Sequence, residues 1–278
     1  MSFPNSLAVL PNGYLAGGLY SGKIRIWNPQ DGHVIKTLMG HTSSVMSLVI
    51  LPNGHLASGS EDHTIKIWNT ETSDVVSTLT GHSDSITSLA ILENGFLASG
   101  SEDRTVKLWN PNTGLEMSTL VGHTDSITSL AVMQNGHLAS ASYDKTIKIW
   151  NTNKLWNCDL FTITPHTSYP NRLAVLKNGN LVSGGGFGDN TIKVLSKNDG
   201  GLIRSLIGHT SSIYALKALP NGILVSGDSS GAIKIWNAES GGLIRTIVVH
   251  TQPVSSFAVM PNGFFASASY DETIRFWN

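Results

Sequence analysis

Three observations predict an all-β chain folded as a seven-bladed β-propeller of four-stranded antiparallel blades. They are seven Asn-Gly pairs at near-constant spacing, a parallel series of alternating runs that mostly end in tryptophan, and the lack of any long helical period. The pairs are Asn12-Gly13, Asn53-Gly54, Asn94-Gly95, Asn135-Gly136, Asn178-Gly179, Asn221-Gly222 and Asn262-Gly263, at intervals of 41, 41, 41, 43, 43 and 41 residues. Asn-Gly is the strongest short hairpin signal, and each pair is expected to form a type I′ turn with both central residues at positive φ.

The second series runs Trp27, Trp68, Trp109, Trp150, Leu195, Trp236 and Trp277, each closing one unit. In Thr64-Ile65-Lys66-Ile67-Trp68 charged and β-branched residues alternate, which is the period of a half-buried strand. One unit then reads as four strands, Val45 to Leu51, His55 to Ser60, Thr64 to Trp68 and Val75 to Leu79. Such a unit cannot bury both faces alone, so seven must pack in a ring and residues 1–278 form one domain.

Composition narrows the function classes. The net charge is −1 and neither sign forms a run, so a nucleic-acid-binding surface is not expected. Nowhere do 18 apolar residues run together, so no membrane-spanning helix is expected, and Met1-Ser2-Phe3-Pro4-Asn5 does not read as a signal peptide. The single cysteine, Cys158, cannot form an internal disulfide, which suits a reducing compartment; the cytoplasm is the expected location.

The histidines of Gly40-His41, Gly81-His82, Gly122-His123 and Gly208-His209 each fall 27 residues before the tryptophan of the same unit, and Trp-Asn follows, as at Trp68-Asn69. This recurring pattern resembles the WD-repeat family over essentially the whole chain, with Asn where the family usually has Asp. The resemblance implies a toroid whose innermost strands line a central channel and whose top face binds partners.

Recurrent polar sets accompany the pattern: His41, Ser58, Asp62 and Trp68; His82, Ser99, Asp103 and Trp109; His123, Ser140, Asp144 and Trp150; His250, Ser267, Asp271 and Trp277. The resemblance implies a buried chain from indole to hydroxyl to imidazole to carboxylate, with Ser58 expected opposite Trp68. A catalytic or metal-binding group is normally unique, whereas this one recurs, so the sets read as structural, with no catalytic residue, metal or cofactor. Three units depart from the pattern. Unit one has Gly17 and Ser21 at the Ser and Asp positions; unit five keeps His166, Ser183 and Asp189 but has Leu195 for Trp and two extra residues in its Gly184–Gly188 turn; unit six has Ser230 in place of Asp.

The resemblance also implies where partners bind: three and five residues after each His, and one before each Asp. Tyr20, Met46, Glu61, Glu102, Tyr143, Tyr169, Tyr214 and Tyr270 fall on these positions, as do Phe3, Ser44, Gly188 and Ser212. The five-after-His set also includes Asn5, Thr87, Thr128, Asn171 and Ser255. Five of the six tyrosines lie on this face, with Glu61 and Glu102 in a separate sector, which suits a protein or peptide carrying a basic residue beside an apolar anchor. The expected function is a recognition scaffold, not an enzyme. Its rivals are a glycan-binding, lectin-like propeller and a regulatory piece of a larger sensor or enzyme.

Seven units of 41 residues with four inserted residues would take 291 residues, and the chain has 278. The 13 missing equal the stretch that follows Asn69, Thr70 to His82, a fourth strand with its following loop. Blade seven is therefore expected to have three strands, for 27 in all. Its open edge would be filled from sequence beyond this chain or by another chain; otherwise the protein is expected to be a monomer.

Overall fold

Among residues 3–152 and 159–277, which the computed structural model describes, every regular element is a β-strand. Cys158, on which the redox argument rests, lies outside these residues, as do Met1 and Asn278. The 27 described strands form seven antiparallel sheets, six of four strands in chain order and one of three. Blade two sets the pattern with Val45–Ile50, Leu56–Ser60, Ile65–Asn69 and Asp74–Leu79, each within a residue of expectation. Blade seven has Val254–Val259, Phe265–Ser269 and Ile274–Trp277 and no fourth strand among the described residues. No helix here is long and apolar enough to cross a membrane.

The Asn-Gly turns differ from expectation. Only the glycine has positive φ, from 78° at Gly136 to 87° at Gly179, and the asparagine does not. In blade two the Gly54 N–H donates to the Leu51 carbonyl at 2.9 Å and the Leu51 N–H to the His55 carbonyl at 2.8 Å. That is a type I turn followed by a glycine bulge, not a type I′ turn. The Asn53 side chain decides it: its Oδ1 accepts the His55 N–H at 3.1 Å, an Asx turn that keeps its own backbone right-handed. Every Asn-Gly pair repeats this bond.

The first strand of each blade is innermost and packs against the first strands of both neighbours, and blade one meets blade seven to close the ring. The apolar core lies between blades. Leu10, Ile24, Ile26 and Leu38 of blade one pack with Val45, Leu48, Leu56 and Trp68 of blade two, and the other clusters repeat the arrangement.

Packing across these seams is tight at one point in each. A Cβ built on Gly18, Gly59, Gly100, Gly184 or Gly227 would lie 2.5–2.6 Å from the next blade's Val45, Ile86, Ile127, Ile213 or Val254. The remaining two seams carry alanine, and there the facing residue changes too: Ala141 precedes Pro170, and Ala268 precedes Pro4. A methyl group thus stands on the second strand only where the following blade offers no β-branch.

Candidate functional site

The recurrent polar sets assemble as hydrogen-bonded chains. In blade two the His41 Nδ1 lies 2.7 Å from Asp62 Oδ2, the His41 Nε2 2.7 Å from Ser58 Oγ, and the Trp68 indole N–H donates to Ser58 Oγ at 2.7 Å. The corresponding distances are 2.6, 2.7 and 2.8 Å from His82, 2.7, 2.7 and 2.7 Å from His123, and 2.8, 2.8 and 2.9 Å from His250. Ser58 is not directly opposite Trp68, as had been expected; its partner across the ladder is Lys66, and Trp68 pairs with Leu56. The indole reaches back diagonally to the hydroxyl. Because that hydroxyl accepts the indole proton, it has its own proton to give to Nε2, which leaves Nδ1–H to donate to the carboxylate.

The irregular units resolve differently. In unit one a Cβ on Gly17 would lie 2.6 Å from the Trp27 ring, so the indole occupies the space that the serine takes elsewhere. Unit five keeps His166 bonded to Asp189 at 3.0 Å and to Ser183 at 2.9 Å, with Leu195 buried in place of the indole. Unit six corrects the sequence reading. Its carboxylate is not missing: Asp228, two residues before Ser230, accepts from His209 at 2.7 Å and from the Ser230 hydroxyl at 2.6 Å. Spacing hid it, because the serine and aspartate roles of Ser60 and Asp62 have merged in one residue.

Burial opposes ionisation of Asp62, Asp189 and Asp271, but hydrogen bonds from neighbouring threonines, the loop backbone and the histidine outweigh it and hold each carboxyl at about 2. Burial also holds His41, His123 and His166 below the ordinary imidazole range, against the pull of their aspartates. Both shifts have the same sign for stability. An unfolded chain takes up protons on histidine near about 6.5 and on aspartate near about 3.9, before the folded sets do. Their stabilisation is complete above about pH 6.5, begins to fall below it, and is lost through the window from about 4 to about 2. An acid titration of tryptophan fluorescence at constant ionic strength should show cooperative unfolding in that lower window. A melting temperature independent of pH from 7 to 3 would contradict it.

The hairpin tips between second and third strands meet the loops before the first strands on one face. One backbone bond joins them in every blade: Tyr20 N–H to Phe3 O, Glu61 to Ser44, Glu102 to Ser85, Tyr143 to Ser126, Gly186 to Tyr169, Ser229 to Ser212 and Tyr270 to Pro253. Positions three after His and one before Asp therefore lie together, except that Gly186 replaces Gly188. Of the residues singled out for this face, Tyr20 and Tyr143 are 52% and 44% exposed. Glu102 is exposed too, and Met46, Glu61, Tyr169, Tyr214 and Tyr270 are half-buried.

At five of the five-after-His positions the side chain bonds the next blade. Thr87 and Thr128 donate to the carbonyls of Ile127 and Pro170 at 2.7 Å, Asn171 to Ile213 at 2.7 Å, Asn5 to Val45 at 3.3 Å and Ser255 to Pro4 at 2.5 Å. These side chains bridge blades. Ser44 and Ser212 are buried as well.

Two aromatic groups stand on the face. Phe3 contacts Tyr20 and Tyr270 at ring distances of 4.8 and 4.4 Å, and Tyr143 meets Tyr169 edge-on at 4.4 Å. Phe187, at the tip of the two-residue insertion in unit five, is 81% exposed. Sequence reasoning passed over it, although an insertion carrying an aromatic residue was visible. Blades two and three form an acidic sector, in which burial, then Asp84, and Glu61 raise the Glu102 carboxyl above its ordinary range. No group of three or more His, Cys, Asp or Glu side chains placed to hold a metal occurs among the described residues.

The model of the WD domain, G-beta repeat, matches residues 32–69, 73–110, 114–151, 200–237 and 241–278. Units one and five, which lack the complete polar set, are the ones left unmatched. No curated protein sequence matches the chain. The crystal structure of the WD40 β-propeller domain of Doa1 is similar at a TM-score of 0.88 and 26% identity, covering 100% of this chain and 93% of that one. With five matched repeats and seven closed blades, the chain belongs to the WD-repeat family.

Proposed function

We propose that the hairpin-tip face recognises a protein segment carrying a basic residue beside an apolar anchor. Propellers of this family are generally protein-interaction scaffolds and typically non-enzymatic. The observation that carries the finer reading is the separation of chemistries on one face. Tyr143, Tyr169 and Phe187, with Phe3, Tyr20 and Tyr270, supply aromatic surface, while Glu61, Asp84 and Glu102 supply negative charge. Aromatic side chains give large contact area at small rotamer cost, and acidic groups steer and orient a cation.

A peptide array read with the intact chain tests this. Segments pairing Arg or Lys with an aromatic or aliphatic residue should be captured. The Tyr143→Ala/Tyr214→Ala/Tyr270→Ala triple variant should lose at least tenfold in affinity, and Glu102→Gln should weaken binding less. Lys66→Ala should change little, since Lys66 bonds Thr78 within the blade at 3.2 Å. Binding that survives the triple variant but fails in Lys66→Ala would place the interface on the side wall. Capture of glycans with a silent peptide array would make the protein a lectin.

A further inference from the structure

Beside the open edge of blade seven, on the seam with blade one, lies a cavity of about 230 Å³. Its lining includes Ile274, Pro4, Leu15 and Trp27, with Arg25 and Glu272 as its charged members. The first four hold the places that Ile24, Val45, Leu56 and Trp68 hold on the seam between blades one and two. There Leu38, from the fourth strand of blade one, packs in one cluster with all four and is buried. The cavity is therefore the socket for a fourth-strand leucine. It is larger than the roughly 150 Å³ left by one truncated buried leucine.

The six four-stranded blades define what fits that place. In each, leucine or isoleucine pairs with the first residue of the third strand, and serine or threonine stands just before it. The pairs are Thr37-Leu38, Thr78-Leu79, Thr119-Leu120, Thr162-Ile163, Ser205-Leu206 and Thr246-Ile247. In five of them the hydroxyl accepts from the lysine across the ladder at 2.9–3.2 Å, as Thr78 does from Lys66. Blade seven has Arg275 in the lysine's place, exposed and without a hydrogen bond or ion pair to any described residue. Ile274–Trp277 pairs on one side only, with Phe265–Ser269, so its outward backbone groups have no ladder partner among the described residues. Socket, cation and edge all lack the same strand. The histidine that follows the pair in the other blades is not required here. Gly17 stands where it would find its serine, and the Trp27 ring fills that space.

We propose that the blade-seven edge docks an extended segment of another protein in which serine or threonine precedes leucine or isoleucine. The segment adds as an antiparallel fourth strand, its main chain paired with Ile274–Trp277. Its leucine enters the socket against Leu15 and Trp27, and its hydroxyl accepts from the Arg275 guanidinium. In strand addition the main-chain bonds supply affinity, and pockets for side chains supply the choice of sequence. A second copy has no such pair to spare, since each one among its described residues is built into one of its own blades. The site does not depend on the peptide reading of the hairpin-tip face.

A synthetic peptide of Thr70–His82, titrated into the intact chain in a calorimeter, tests this. Saturable binding at one site per chain is expected. Leu79→Ala in the peptide should weaken binding about tenfold, because the socket loses its side chain, and Thr78→Val about threefold. Arg275→Ala in the protein, at an exposed position, should weaken the unaltered peptide by about threefold and leave the affinity of the Thr78→Val peptide unchanged. Hydrogen exchange locates the site without a variant: the peptide should slow exchange of amides within Ile274–Trp277. Absence of saturable binding, equal binding of the Leu79→Ala peptide, or slowed exchange confined to the hairpin tips would each overturn the proposal. So would a dimer of the chain alone in which the Ile274–Trp277 amides are already protected, which would give the edge to a second copy.

Discussion

A chain extended after Asn278 by a 13-residue copy of Thr70–His82 is expected to melt about 5–10 °C higher than the chain as it stands. Blade seven shows why. In blade two, Ile65, Ile67 and Trp68 on the third strand are at most 1% exposed beneath the fourth strand, whereas Phe276 is 42% exposed and Ile274 and Trp277 only half-buried. A fourth strand would add several ladder hydrogen bonds at about 1 kcal/mol each and bury a leucine equivalent to Leu79 for about 2 kcal/mol, offset by ordering entropy. The net gain is on the order of 2–4 kcal/mol, and for a domain of this size each kcal/mol moves Tm by about 2–4 °C. A copy with the Val75 and Leu79 positions changed to Asp should give no gain. If the unaltered copy gives none either, the edge is satisfied in some other way.

Gly100→Ala is expected to destabilise the propeller by about 1–3 kcal/mol, a large effect for one methyl group. The added Cβ would lie 2.5 Å from Ile127 Cγ2, on a seam where both backbones are held by their ladders. Neither strand can retreat without disturbing the ring. Ala141→Gly, at the equivalent place in blade four, should cost no more than about 1 kcal/mol, the ordinary penalty of glycine in a strand. A double-mutant cycle of Gly100→Ala with Ile127→Ala isolates the contact, and a favourable coupling of about 1–2 kcal/mol is expected from denaturant unfolding. Strict additivity would show that the seam yields and that the size matching of glycine with β-branch and alanine with proline is without energetic weight.

Two departures of the structure from the sequence reading, one in a polar set and one in the partner positions, share a cause. Spacing along the chain does not mark Asp228, whereas the carboxylate needs only to reach His209 in space, and a shorter path through the loop does so. Asn5, Thr87, Thr128, Asn171 and Ser255 fall on the positions that the resemblance assigns to partners, yet their hydroxyls and amides turn sideways to carbonyls of the next blade. No local pattern reveals that carbonyl, because it lies about forty residues away, or, for Ser255, at the other end of the chain. The turn type failed for a smaller reason. Asn-Gly favours several hairpin turns, and the Asx bond that selects among them at Asn53 is a side-chain choice that the dipeptide does not specify.

Blade number and strand order were determined by the sequence alone, because they rest on short-range periodicity repeated seven times; the same repeat length fixed the three-stranded last sheet by count, and recurrence marked the four complete polar sets. Repetition also makes exceptions legible, as Leu195 and the Gly184–Gly188 insertion were. What meets across the ring was decided only by the tertiary structure. Arg172 and Lys217 are unremarkable in sequence, each one residue in an alternating strand; closure of the ring sets both in the lining of one cavity, where no described lining residue is acidic. Closure likewise brings Phe3 onto Tyr270, from opposite ends of the chain, and sets the small residue of each blade against the first strand of the next. Periodicity reports what each strand buries, whereas contact between strands from distant units depends on how seven twisted sheets close on themselves.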